Sequence, residues 1–335
     1  MSEHSGVLIC GETADNNLTG VTAELIHTGR KLCDSLEGQL SLLLIGHDAQ
    51  SAADEAISFG VDKLYVSGDL LYPESHPEWI LSAITHVCGD TQPSIVLFGQ
   101  TDMGREMAPR LGARLDASVC LDCVGLEIDR ETGSLLQTKP VYGGNAVAVW
   151  ASVDFYPRIV TLRPRSSQPA KPDASRQGDI IRVDMTRENS TLKGKLLETV
   201  QEDARGVKLE EAKVVVTGGG GIGGSEGFQP IEELARILHG AVGISRVPCD
   251  EGWMPKNLEI GQTGRVVSPD LYIAVGISGA PQHLAGCSDS RCIVAINKDP
   301  EAHIFKEADF GIVGDYREAL PAFIKKLKSL LAQTS

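Results

Sequence analysis

Three short apolar runs, LYIAV, CIVAI and GIVG, each end in small or polar residues within the stretch 258–315. Two of them lead into helical segments. Buried parallel strands look like this when their C-terminal ends point at a ligand. The turn Gly276-Ile277-Ser278-Gly279 offers backbone N–H groups and a hydroxyl at a helix start, which suits a phosphate. These residues place a phosphate-bearing cofactor near the C-terminus rather than the N-terminus.

The chain of 335 residues is long enough for two domains with their own cores. A hydrophobic share of 42% and a charged share of 23% are those of an ordinary globular protein. The net charge of -14 argues against nucleic acid, whose phosphates need a basic surface. No apolar stretch reaches the ~18 residues of a membrane span. The start, MSEHSGVLICGE, lacks a basic segment followed by an apolar one, so a cytoplasmic chain is expected. Eight cysteines are scattered at 10, 33, 88, 120, 123, 249, 287 and 292. Cys120 and Cys123 form one CxxC without a second pair or nearby histidines, a poor zinc site. The cysteines read as reduced structural thiols; a redox role for this pair stays open.

Through the first 115 residues, apolar runs at 7–10, 42–45, 64–66 and 95–98 alternate with helical spacing at 21–36, 49–59 and 79–87. That rhythm implies a parallel sheet. Runs at 118–126, 141–151 and 159–162, joined by turn signals such as Tyr142-Gly143-Gly144-Asn145, read as an antiparallel extension. Residues 165–176, RSSQPAKPDASR, read as an exposed loop. The charged segment 201–213 reads as the lead-in to a second domain and as a hinge. The expected division is 1–200 and 201–335. The second domain opens with a strand at 214–217, a glycine-rich turn and a helix at 230–239. It closes with an amphipathic helix at 316–331.

The turn 217–228, TGGGGIGGSEGF, fits GxGxxG twice, at Gly218, Gly220 and Gly223 and again at Gly219, Gly221 and Gly224. Glycine permits close approach to a pyrophosphate. A flexible turn without a ligand explains the run equally well, and the motif does not separate NAD from FAD. No acidic residue about 20 residues on is placed for a ribose; Ser245 and Arg246 stand there instead.

VGISR, GQTGR, LYIAVGISGAPQHLAG, VAINKDP and ADFGIVGD follow one another between Val242 and Asp315. This combination resembles the C-terminal domain of the electron transfer flavoprotein alpha subunit. FGQTDMGREMAPRLGARL, CVGLEID and PVYGGNA extend the likeness to the first domain. The resemblance implies two α/β domains, the first a parallel sheet with an antiparallel extension and the second Rossmann-like. It implies a heterodimer with a beta subunit and an FAD held mainly by the second domain. The chain would be an electron carrier, taking electrons from a flavin dehydrogenase, typically an acyl-CoA dehydrogenase.

The same resemblance assigns the cofactor to Ser245, Arg246, Gly261, Gln262, Thr263, Ser278, Gly279, Ala280, Pro281, Gln282, His283, Asn297 and Asp315. Arg246, in a partly enclosed position, would stabilise an anionic, one-electron-reduced flavin; its bland alternative is a surface ion pair. His283 would donate to the pyrimidine end of the flavin, and Thr263 would hydrogen-bond its edge or merely fix its own turn. Ser278 and the neighbouring N–H groups suit the pyrophosphate. Asn297 and Asp315 suit adenosine or ribose hydroxyls, or else a turn and a helix cap. One departure stands out. The family places arginine where this chain has Gly220, which implies weaker FAD binding or a substitute cation such as Arg265. An NAD-dependent oxidoreductase with a C-terminal Rossmann domain, or a cofactor-poor scaffold, would also carry the glycines. Neither explains GQTG followed by SGAPQH.

Overall fold

The computed structural model describes residues 4–46, 49–67, 76–142, 146–152, 156–169, 171–183, 197 and 208–334. The chain divides into two compact units, Met1–Pro140 with Val147–Gln201, and Glu202–Ser335 with Val141–Ala146. The domain boundary expected at 200 and 201 lies outside the described residues. So do 201–207 of the lead-in, Ala170 of the exposed loop, and Gly143, Gly144 and Asn145 of the expected turn.

The first unit is built on a seven-stranded sheet. Its order is Asp179–Arg182, Lys63–Ser67, Leu40–Ile45, Val7–Cys10, Ile95–Gly99, Arg158–Leu162, Val119–Cys123, and every pairing is parallel. Successive strand residues face opposite sides. Val7 and Ile9 enter one core with Leu25 and Ile26 of helix Gly20–Leu36 and Ala56 of helix Ala53–Phe59. Leu8 and Cys10 enter the other with Trp79 and Ile84 of helix Pro77–Thr91 and Met107 of helix Asp102–Leu115. A sheet covered on both faces needs apolar residues at every position, hence the unbroken apolar runs.

Helix Asp102–Leu115 escapes a reading by periodicity, because Gly104, Pro109 and Gly112 are weak helix formers. Thr101 caps it, its hydroxyl accepting from the Gly104 N–H at 3.2 Å. A Cβ on Gly104 would run into the Gly99 carbonyl at the adjacent strand end, so close packing requires glycine there.

The antiparallel extension is present and narrower than expected. Gly125–Ile128 pairs antiparallel with Leu135–Val141, and Ala146–Ser152 completes a three-stranded sheet. Val119–Cys123 and Arg158–Leu162, expected within it, join the parallel sheet instead. Burial is the reason: all five residues of Arg158–Leu162 are buried, as an inner parallel strand requires.

The second unit holds a five-stranded sheet, again wholly parallel, ordered Ala241–Ile244, Val214–Gly218, Leu271–Val275, Ile293–Asn297, Phe310–Val313. Val216, Ile273 and Ile296 pack under Ile231 and Leu234 of helix Gln229–Ile237 and under Leu320 and Ile324 of helix Tyr316–Thr334. Val215, Tyr272, Ala274 and Ala295 fill the opposite face with Leu284 and Ile304. The GIVG run does not form the buried strand its composition promised. Phe310–Val313 is an exposed edge, because the last helix turns back over Ile296 and its neighbours. Chain order reverses between Val214–Gly218 and Leu271–Val275, a topological switch point where open α/β sheets bind ligands. Among the described residues no helix is long and apolar enough to cross a membrane.

Candidate functional site

At that switch point the strands end in loops that enclose a cavity of about 480 Å³, within the usual range for ligand sites. Gly220 and Gly221 follow the first strand, Ser245 and Arg246 follow Ala241–Ile244, and Ile277, Ser278 and Ala280 follow Leu271–Val275. Gly261, Gln262, Thr263, Gln282 and His283 close another side.

Glycine at these loops serves backbone contact as much as ligand approach. Gly219 donates to Val275 O and Gly221 to Gly276 O, each at 2.9 Å. A Cβ on Gly221 would lie 2.9 Å from the Gly276 Cα, and Gly276 itself has a φ of +63°. The two loops thus pack with nothing between them. The strand does not pass straight into a helix as the dinucleotide fingerprint has it. Two 3-10 turns, Gly220–Ile222 and Ser225–Phe228, precede helix Gln229–Ile237. Gly220 differs from its neighbours: a Cβ there would meet only Val247, at 3.1 Å.

The loop after Leu271–Val275 carries the open donors. Among the described residues, nothing accepts from the N–H groups of Ser278, Gly279 and Ala280, and the Ser278 hydroxyl also has no partner. Consecutive free amides bent by a left-handed residue, here Gly279 at φ +83°, form an anion-binding concavity. Asn297 braces this loop by donating to Ile277 O at 2.8 Å while accepting from the Asp299 N–H at 3.0 Å.

Nine of the thirteen expected residues line the cavity: Ser245, Arg246, Gly261, Gln262, Thr263, Ser278, Ala280, Gln282 and His283. Gly279, Pro281, Asn297 and Asp315 do not. Gly279 packs against the backbone of Ile304. Pro281 starts the short helix Pro281–Leu284. Asp315 accepts from the Arg317 N–H at 2.9 Å at the head of the last helix, a capping contact.

One expected role and one expected placement are corrected. His283 is buried with both ring nitrogens engaged, Nδ1 3.0 Å from Ile260 O and Nε2 2.9 Å from Tyr272 Oη. A carbonyl only accepts, so Nδ1 carries the proton and Nε2 accepts from the phenol. Burial pushes the imidazole down to about 4 and raises the Tyr272 phenol, which holds both groups neutral. His283 therefore has no N–H left for the cleft. Arg246 is not partly enclosed: its side chain is 71% exposed and pairs with Asp250 at 3.1 Å. As first residue of helix Arg246–Asp250, it projects from the cavity mouth. Arg265, the expected substitute cation, pairs with Glu210 at 2.9 Å and does not line the cavity.

Glu259 is the lining residue that sequence reasoning missed. It is 5% exposed, and its carboxylate accepts the Thr263 hydroxyl at 2.9 Å. With its proton committed there, Thr263 presents a lone pair to the cavity rather than a donor. An acid inside the otherwise apolar LEIG segment was the available signal.

Residues 7–188 match the electron transfer flavoprotein domain, and 208–288 match the electron transfer flavoprotein FAD-binding domain. The electron transfer flavoprotein subunit alpha of Bacillus subtilis is 43% identical over 97% of this chain and 98% of its own length. That of Thermoanaerobacterium thermosaccharolyticum is 42% identical over 98% of this chain and all of its own length. Protein FixB of Azotobacter vinelandii is 36% identical over 98% of this chain and 92% of its own. With likeness running through both units and through the cleft, the chain belongs to the electron transfer flavoprotein alpha subunit family.

Proposed function

We propose that this chain is one subunit of a heterodimeric electron carrier that binds FAD in the cleft of its second unit. The observation that carries the reading is the cavity at the switch point, formed by loops within the segment that matches the FAD-binding domain. The donor set fits: free amides at Ser278, Gly279 and Ala280 suit a pyrophosphate, and a cation stands at the mouth. When bound, the flavin supplies the one- and two-electron chemistry.

The chain's own residues hold and tune it. Ser278–Ala280 receive the phosphates, and Asn297 keeps their loop in place through Ile277. Thr263, turned by Glu259, offers an acceptor. Arg246 at the mouth is a fixed positive charge beside a site that gains electrons. His283 acts through packing, pinning Ile260 and Tyr272 behind the cavity. Residues 1–200 would contact a beta subunit and 201–335 carry the cofactor. A flavin dehydrogenase, typically an acyl-CoA dehydrogenase, would supply the electrons.

Co-expression with its beta subunit, followed by FAD reconstitution and absorbance spectroscopy, tests this. A flavin spectrum that travels with the heterodimer is the expected result. A folded complex that takes up no flavin, or one that binds NADH in its place, overturns the reading.

A further inference from the structure

The pair Cys120 and Cys123 sits outside the cofactor cleft, in the edge strand Val119–Cys123 of the first unit. In a regular strand, residues three apart point to opposite faces. Here the two sulfurs are 3.5 Å apart. A bulge brings them together: Cys120 pairs with Val160 and Cys123 with Leu162, so the edge strand holds one residue more than its partner. The extra turn falls on Asp122, whose φ of +63° is uncommon for a residue with a side chain.

The bulge is fastened from the neighbouring strand and the residue after it. The Asp122 N–H donates to Thr161 Oγ1 at 2.7 Å. Arg163 donates to both carboxylate oxygens of Asp122, at 2.9 and 2.7 Å, in a largely buried pair. The Arg163 N–H donates to Cys123 O. Cys123 is fully buried, whereas Cys120 is partly exposed. An accessible thiol therefore lies against a protected one.

We infer that Cys120 and Cys123 form a redox-active dithiol, oxidised to an intramolecular disulfide by low-molecular-weight disulfides. The Cys120 thiolate attacks one sulfur of the small disulfide, forming a mixed disulfide and expelling one small thiolate. Cys123 then attacks the Cys120 sulfur and expels the second, its own proton passing to that leaving group. Two protein thiols and one small disulfide become one protein disulfide and two small thiols. Closing the last step needs the sulfurs to approach by about 1.5 Å.

The local chemistry favours Cys120 as the attacking group. The thiol of Cys123, donating to it, lowers its pKa, and Lys139 adds to the effect; together they outweigh burial and bring it to about 7. At pH 7 such a group is about half thiolate, against about 1% for a thiol at the ordinary 9.0. Reduced nucleophilicity takes back part of that gain and leaves the thiolate fraction the larger factor.

The test treats the full-length folded chain with oxidised glutathione and maps thiols by alkylation and mass spectrometry. Cys249 and Cys292, the other partly exposed cysteines, serve as internal references. The expected result is a Cys120–Cys123 disulfide in the wild type and a stable mixed disulfide on Cys120 in Cys123→Ser. Cys120 should react faster than the references. The Cys120→Ser chain, checked for fold by circular dichroism, should leave Cys123 unmodified. Equal reactivity of Cys120 and the references, or a mixed disulfide that persists on Cys120 in the wild type, overturns the inference.

Discussion

The two units carry the same kind of doubly wound parallel sheet, yet their switch points differ. In the first unit the order reverses between Val7–Cys10 and Ile95–Gly99. The described residues there leave a cavity of about 220 Å³. Glu12, its acidic lining residue, is engaged by threonines beside it. Thr101 donates to Glu12 at 2.6 Å, the Glu12 N–H donates to Thr22 Oγ1, and the Thr22 hydroxyl donates back to Glu12 O, both at 2.8 Å. In the second unit the corresponding loops are glycine-rich, the amides of Ser278 to Ala280 have no acceptor among the described residues, and the cavity is about 480 Å³. A sheet topology offers a crevice; the loop chemistry decides whether a ligand can use it.

The strongest way to break this comparison is to add a Cβ to each switch point. In Gly276→Ala the new atom would lie 3.0 Å from the Gly221 carbonyl carbon, at a residue held at φ +63°. Backbone cannot yield as a side chain can. Conformational strain and overpacking together should cost about 2–4 kcal/mol. FAD affinity should fall about a hundredfold or more. In Gly11→Ala the nearest atoms would be the side-chain tips of Leu42, Leu44 and Thr22, at 2.8–2.9 Å. About 1–2 kcal/mol is expected there, with flavin binding intact. Urea melts and flavin titration of the two variants give the answer; equal losses would show the two loops to be equivalent.

The units should also respond oppositely to pH. In the second, His283 titrates at about 4 when folded and 6.5 when unfolded. The unfolded chain gains a proton as pH falls through 6.5 and the folded one does not. Stability is therefore complete above 6.5 and declines by about 3 kcal/mol as pH falls to 4. In the first, burial raises the Glu24 carboxyl from 4.5 to about 7, an effect that the amides of Arg165 and Ser167 offset only in part. Here the folded chain keeps its proton while the unfolded one ionises. Stability declines by about 2 kcal/mol as pH rises from 4.5 to 7. Hydrogen exchange followed against pH separates the units, and Glu24→Gln and His283→Gln should each flatten the slope of its own unit. Parallel slopes would sink the contrast.

Another variant sharpens the cleft itself. Gly220 lines the cavity, and the nearest neighbour of a Cβ there is the side chain of Val247, which is half exposed. Gly220→Arg should fit and add a charge-assisted hydrogen bond of about 1.5–3 kcal/mol. FAD should then bind about ten- to a hundredfold tighter by fluorescence titration. Unchanged affinity would mean that the cleft is complete without the cation.

The difference between the switch points was partly legible in sequence. LYIAV and CIVAI announced buried strands because a residue facing either side of a covered sheet must be apolar. Phe310–Val313 has the same composition and is exposed, since composition does not tell which strand ends the sheet. GQTG and SGAPQH marked the cleft through the family resemblance, and the small residues of the turn at 276–279 also pointed to a phosphate site on their own. Tyr272 was invisible because its role depends on its partner His283, set by tertiary packing, and Glu259 showed only as an acid in an apolar run, with its partner Thr263 hidden. For the same reason the spacing could not show that the nitrogens of His283 face inward, or that a one-residue bulge aligns Cys120 with Cys123.

Arg246 gives the smallest effect on the fold and the cleanest division between fold and function. Its pair with Asp250 is exposed on both sides, with 71% and 60% of the side chains accessible. Water and salt screen such a pair, so Arg246→Ala should change stability by no more than about 0.5 kcal/mol. The buried pair between Arg163 and Asp122, at 7% and 22% accessibility, is its counterpart in the first unit, where loss of the arginine leaves a carboxylate short of partners. A fold indifferent to Arg246 isolates its effect on the cofactor. If the guanidinium faces the flavin, Arg246→Ala should lower the flavin's first reduction potential while the urea midpoint stays put. If both stay put, Arg246 is a surface residue without a part in the proposed flavin site.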